Sequence, residues 1–176
     1  SNHDPGKALH LLLKGLAQLP SDINWQLDIL GEGDSTKSWK SLSEKLGIQG
    51  NCIWHGKLAR SSAMDVMANS HVFVVTSLKD LTSTVIVEAI SLGLPVVALN
   101  HCGFTDVVTD GCGIKIDIAR PDRISRDIKQ AIELLYSNET HRRNLASGAI
   151  ERSRHYLWSE KMKTIDDVYE KTLRTC

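Results

Sequence analysis

The chain has 176 residues, 41% hydrophobic and 24% charged, which suits a single globular domain with a full core. Lysine plus arginine equals aspartate plus glutamate at 21 each, and that balance argues against bulk electrostatic attraction to nucleic acid or anionic lipid. Four scattered cysteines with no CxxC pair, and seven histidines with no HxxxH or HExxH pair, argue against a disulfide framework and against a metal site, and point to a reducing, cytoplasmic setting.

In chain order, Ser1-Asn2 reads as a cleavage remnant, so the natural protein is expected to start further upstream. Residues 5–19 read as a helix, with Leu9, Leu12, Leu13, Leu16 and Leu19 at helical spacing and Pro20 as the stop. Residues 25–30 alternate as a strand that ends in Gly31-Glu32-Gly33. A short helix over 38–46 closes at Gly47, and a strand over 51–55 comes next. The next helix, 61–68, opens on a serine pair suited to capping. Residues 71–75 form a continuous apolar run, typical of a parallel strand buried on both faces. A helix over 84–92, strands over 95–99 and 113–116, and helices over 121–136, 138–153 and 159–174 complete the chain. No stretch approaches the roughly 20 apolar residues that span a bilayer.

Strands that alternate with helices through short connections predict an α/β fold: a Rossmann-like open parallel sheet of about six strands, helices on both faces, and a helical C-terminal tail. The ligand site of such a sheet lies beyond the carboxyl ends of its strands. The loops after Leu30, His55, Val75 and Leu99 are therefore expected to converge.

The segment from Thr76 to Ala98 carries the most chemistry. A buried strand ends, a polar loop succeeds it, and a helix begins near Ser83. The first amides of that helix lack intrahelical partners and sit at the positive end of its dipole, which suits an anion. Leu81 lies in the loop, and Thr82, Ser83 and Thr84 add hydroxyl donors. Glu88, one turn in, can accept from both hydroxyls of a ribose. Asp80, before the helix, can accept from a sugar hydroxyl. The plain alternatives are a solvent-facing acid for Glu88, a turn or capping residue for Asp80 and a surface lysine for Lys7. His55, His71 and His101 read as structural or surface residues, and Trp25, Trp39 and Trp54 as packing residues.

This stretch resembles the two-acid signature of family-four retaining glycosyltransferases with the GT-B fold, E-G-F-G-x-x-x-x-E-A-x-A-x-G-x-P-V-V-A. Asp80 stands for the first acid and Glu88 for the second, and Ala89, Gly93, Pro95, Val96, Val97 and Ala98 match the remainder of the signature. Asp4-Pro5-Gly6-Lys7-Ala8 resembles the segment whose lysine binds the donor diphosphate. Gly31 and Gly33 resemble the G-x-G after a strand, and Gly56-Lys57-Leu58 the loop whose backbone contacts the base. Residues 102–108 resemble the G-G-x-x-E-v-v turn, and Trp158 with Tyr169 the closing helix.

The resemblance implies that residues 1–176 are one nucleotide-sugar-binding domain, the C-terminal half of such an enzyme, with the first strand truncated and the N-terminal acceptor domain absent. It implies transfer of a sugar from a nucleoside diphosphate to an acceptor hydroxyl with retention. Lys7 and the amides at Ser83 and Thr84 would stabilise the leaving diphosphate, and no metal or other cofactor would be needed. The expected partners are the sugar donor and, through the absent half, a saccharide or lipid-linked acceptor in polysaccharide synthesis. That half could also tether the protein peripherally to the cytoplasmic membrane face. Departures from the pattern are aspartate at position 80 and Leu81-Thr82-Ser83 in place of a glycine-aromatic-glycine run. They keep a non-catalytic nucleotide-sugar-binding module open as the alternative, beside a sugar-nucleotide epimerase-like protein.

Overall fold

The computed structural model describes residues 3–79 and 84–158, and residues 160, 162, 165, 166, 169 and 172 of the tail. Its order is a 3-10 turn at Pro5–Lys7, α1 (Leu9–Leu16), β1 (Leu27–Leu30), α2 (Thr36–Lys45), β2 (Cys52–Gly56), α3 (Arg60–Ala68) and β3 (Phe73–Val75). Then come α4 (Thr84–Ser91), β4 (Val96–Leu99), α5 (Phe104–Val107), β5 (Gly113–Ile116), α6 (Pro121–Ser137) and α7 (Glu139–Arg154).

All strand pairs are parallel, but the sheet comes in two pieces, β1-β2 and β3-β4-β5. Five strands are therefore present among the described residues, where about six are expected. β4 shows how the sheet is covered. Its four residues are all buried. Val97 and Leu99 pack with Leu12 and Leu16 of α1 and with Ile124, Ile128 and Leu135 of α6. Val96 and Ala98 face the other way, onto Ile86 and Ile90 of α4 and Ala149 of α7. This period-2 alternation between two apolar layers is why an unbroken apolar run forms the strand. A third cluster joins Leu13 of α1 and Ile29 of β1 to Trp39 of α2.

The long N-terminal helix expected over 5–19 is in fact broken. Ala8 adopts a left-handed φ of 50°, and α1 restarts after it. The carbonyls of Gly6 and Lys7, which a continuous helix would use, accept instead from the segment after β3. Leu78 N–H donates to Gly6 O at 2.8 Å, and the Thr76 hydroxyl donates to Lys7 O at 2.9 Å. Tertiary bonding thus overrides local periodicity. The serine pair does not cap α3 either: its N-cap is Ala59, and Ser61 and Ser62 lie inside the first turn. The short helix α5 replaces what reads as a turn. The helices of the tail keep their expected bounds to within a residue at α6 and α7. Among the described residues, no helix is long and apolar enough to cross a membrane, and no cluster of His, Cys, Asp or Glu could hold a metal ion.

Candidate functional site

The expected convergence of loops at the carboxyl edge is present, and hydrogen bonds hold it. After β1, Gly31 takes a φ of 110° that only glycine adopts without strain, and its N–H donates to Gly56 O of β2 at 2.8 Å. His3 N–H donates to Glu32 O at 3.2 Å, and Ser35 N–H donates back to His3 O at 2.9 Å. The segment after β3 is tied to Gly6 and Lys7 through Leu78 and Thr76, and the Leu78 carbonyl lies 3.1 Å from His101 Nε2 in the loop after β4. Residues 3–8 therefore bridge the two sheet pieces at one rim.

His3 is buried beneath this rim. Its Nδ1 lies 2.8 Å from the Thr36 hydroxyl and its Nε2 3.3 Å from Leu30 O, and its ring packs against Trp39. Thr36 Oγ1 in turn accepts Gly33 N–H at 2.9 Å. A ring that donates from Nε2 and accepts at Nδ1 satisfies this chain while neutral. Burial lowers the His3 pKa from 6.5, an effect the Leu30 carbonyl partly opposes.

A cavity of about 1110 Å³ opens at this rim. Lys7, Arg60, Thr76, Ser77 and Glu88 are among the residues that line it. Glu88 stands one turn into α4, half-buried, and its Oε1 accepts from Arg60 Nε at 2.9 Å and Nη2 at 2.7 Å. The Arg60 side chain is 79% exposed, so this is a solvated pair and weakly held. Thr84, the first residue of α4, is exposed. The hydroxyls of Thr76 and Ser77 are buried and turned toward the carbonyls of Lys7 and Gly6, so they shape the lysine's turn.

Of the residues singled out by sequence, Lys7 and Glu88 share this cavity, with Thr84 at the adjoining helix start. Gly31 and Gly33 sit in the turn after β1, and Lys57 and Leu58 in the exposed loop after β2. All four belong to the same edge but do not line the cavity. Asp80, Leu81, Thr82 and Ser83 lie outside the described residues. Sequence reasoning missed Arg60 and Lys79. The Lys79 side chain lies close enough to Gly6 that a Cβ there would meet its Cδ at 3.0 Å, which sets its aliphatic stem against the turn that carries Lys7. Arg60 and Glu88 are 28 residues apart, and no periodicity links them.

Comparison with known proteins gives this geometry its setting. The family model described as glycosyl transferases group 1 matches residues 1–152. The lipopolysaccharide glucosyltransferase WaaG of Escherichia coli is 29% identical over 113 residues, 62% of this chain and 29% of that protein. The N-acetyl-alpha-D-glucosaminyl L-malate synthase of Bacillus anthracis is 24% identical over 99% of this chain and 45% of its own length. The chain thus spans less than half of these curated relatives. Among solved structures, Anabaena Alr3699/HepE in complex with UDP-glucose superposes with a TM-score of 0.79 at 24% identity, over 100% of this chain and 47% of that one. The pneumococcal O-GlcNAc transferase GtfA, in complex with UDP and GlcNAc, gives 0.81 at 16% identity, over 97% and 34%. At these identities the structural likeness establishes the fold. The match across residues 1–152 establishes the lineage: the chain belongs to the group 1 glycosyl transferases.

Proposed function

We propose that this domain binds a nucleoside-diphosphate sugar at the carboxyl edge of its sheet and, in the larger protein, passes the sugar to an acceptor hydroxyl with retained configuration. The observation that carries this reading is that Lys7 and Glu88, 81 positions apart along the chain, line one cavity, with Glu88 one turn into α4. A cation and a helix N-terminus suit a pyrophosphate, and a carboxylate one turn along suits a diol. Two structurally similar proteins were solved with UDP or a UDP-sugar, which supports the same class of ligand here.

The difficult step in such a transfer is the charge that builds on the departing diphosphate. Lys7 and the first amides of α4 would stabilise it as donors already in place, and losing one such donor typically costs about 3–4 kcal/mol of barrier. Asp80 would accept from a hydroxyl of the sugar. Arg60 now holds one carboxylate oxygen of Glu88, so a ribose would share or displace that guanidinium. No group on this chain has to act as a nucleophile or hold a metal. The acceptor, a saccharide or a lipid-linked one, would meet the donor through a further domain, at the cytoplasmic membrane face if the acceptor is lipid-linked.

A thermal-shift series with UDP, GDP, ADP and their sugars tests the proposal. A ligand that binds only the native state raises the midpoint with concentration, by about 2.7 kcal/mol at a hundredfold excess over Kd. One base is expected to stand out. No concentration-dependent shift with any of them would contradict the reading. A non-catalytic module is the reading that aspartate at position 80 favours. A transfer assay on the protein with its upstream half separates it from the enzyme.

A further inference from the structure

Lys7 ends a single turn of three residues, too short to hold its own direction. Asp4 caps that turn by accepting Gly6 N–H, and α1 begins only after the left-handed Ala8. The carbonyls of the turn are taken by the segment after β3. Gly6 O accepts Leu78 N–H at 2.8 Å and the Ser77 hydroxyl at 3.4 Å, and Lys7 O accepts the Thr76 hydroxyl at 2.9 Å. Thr76 and Ser77 are buried, so water competes poorly for these bonds. The main chain of Lys7 therefore stands where residues 76–78 hold it.

Residues 76–78 lie past the end of the ladder, since β3 pairs with β4 only as far as Val75 with Ala98. Beyond that point the His101 side chain reaches across from the loop after β4, with Nε2 3.1 Å from Leu78 O. A carbonyl can only accept, so Nε2 carries the proton and donates in the neutral and the charged ring alike. Leu78 is thus held on both sides, its N–H by Gly6 and its carbonyl by His101.

The ground under His101 is itself braced. Asn100 N–H donates to Ile116 O of β5 at 2.7 Å. The Asn100 side-chain amide donates to Asp117 Oδ1 at 2.9 Å, and its oxygen accepts from the Thr105 hydroxyl at 3.0 Å. The His101 carbonyl accepts Phe104 N–H at 3.2 Å, and Phe104 is fully buried. The ring therefore projects from a fixed loop onto a segment that has left the sheet. We infer that His101 is a positioning residue for the phosphate end of the site: through Leu78 and Gly6 it fixes the turn on which Lys7 stands. It acts without touching the ligand. The inference rests on the phosphate role proposed for Lys7, and it adds a residue that lies 94 positions from that lysine.

The test compares His101→Ala with His101→Gln, whose amide keeps an N–H within reach of the Leu78 carbonyl. Lys7→Ala and the double variant of Lys7→Ala with His101→Ala complete the set. UDP, GDP and ADP, each beside its nucleoside, are titrated by calorimetry, and amide exchange is followed at Leu78. His101→Ala is expected to speed exchange at Leu78 and to weaken the diphosphate that binds, each by about fivefold or more, with nucleoside affinity held within about twofold. His101→Gln is expected to restore most of both. In the double variant the histidine change is expected to add less than about twofold to the loss from Lys7→Ala, because its effect passes through that lysine. Four results overturn the inference and leave the ligand reading standing: equal diphosphate affinity in wild type and His101→Ala, unchanged exchange at Leu78, losses that multiply in the double variant, or a glutamine that rescues neither quantity. A wild-type protein that binds none of the diphosphates overturns the ligand reading, and this inference with it.

Discussion

At the scale of single residues, the cavity is lined by a cation, Lys7, and by an acid, Glu88, that is already engaged by Arg60. These side chains have separate tasks in the proposed complex, and their variants are expected to fail differently. Glu88→Ala removes charged acceptors worth about 1.5–3 kcal/mol, so nucleotide affinity should fall by about tenfold or more while the fold survives. Calorimetry showing unchanged affinity would remove the ribose role. Lys7→Ala should weaken a nucleoside diphosphate much more than the bare nucleoside, and equal losses for both would take Lys7 out of the phosphate site.

His3 makes a separate prediction about pH. Its folded pKa lies below the ordinary 6.5 because the ring is buried, and His10 is lowered for the same reason, with Lys14 adding to the effect. The unfolded chain therefore takes up protons that the folded one resists, and stability present above pH 6.5 is lost as pH falls through the folded values. Midpoints measured across this range should decline toward acid, and His3→Asn should flatten part of the slope. An unaltered slope in that variant would show that His3 does not charge on unfolding.

At the scale of elements, α1 is the piece on which the site depends, because residues 3–8 lead into it and carry Lys7. It lies unusually close to α6. A Cβ on Gly15 would come within 2.6 Å of the Ser125 carbonyl oxygen, and the Ser125 hydroxyl donates to Leu11 O at 2.9 Å. Gly15→Ala gains about 1 kcal/mol of helix propensity but forces two backbones apart, at about 1–3 kcal/mol. A net loss is expected, seen as a midpoint lowered by several degrees. A midpoint raised by the variant would mean that the two helices can separate without cost.

The elements also show what a sequence gives away and what it withholds. Helix and strand periodicities located β4, β5, α6 and α7 almost to the residue, because their apolar repeats and their burial agree. The break at Ala8 was hidden, because it depends on carbonyls bonded to a loop some 70 residues away, and periodicity is blind to such bonds. In the site, Lys7 and Glu88 were legible through motif spacing. Arg60 was not, because its link to Glu88 exists only after α3 and α4 have been brought to the same rim.

At the scale of the whole molecule, two parallel sheet pieces, layered between helices, are tied together at one rim, where a cavity of mixed polar and apolar lining opens. The chain belongs to the group 1 glycosyl transferases, and loops from four strands gather at that rim. The chain spans less than half of its curated relatives.

The most direct test of the account is a crystal structure of the protein with a nucleoside-diphosphate sugar bound. The pyrophosphate should lie between Lys7 and the first turn of α4, with the ribose hydroxyls on Glu88. A nucleotide bound elsewhere, with Glu88 still held by Arg60 alone, would contradict it.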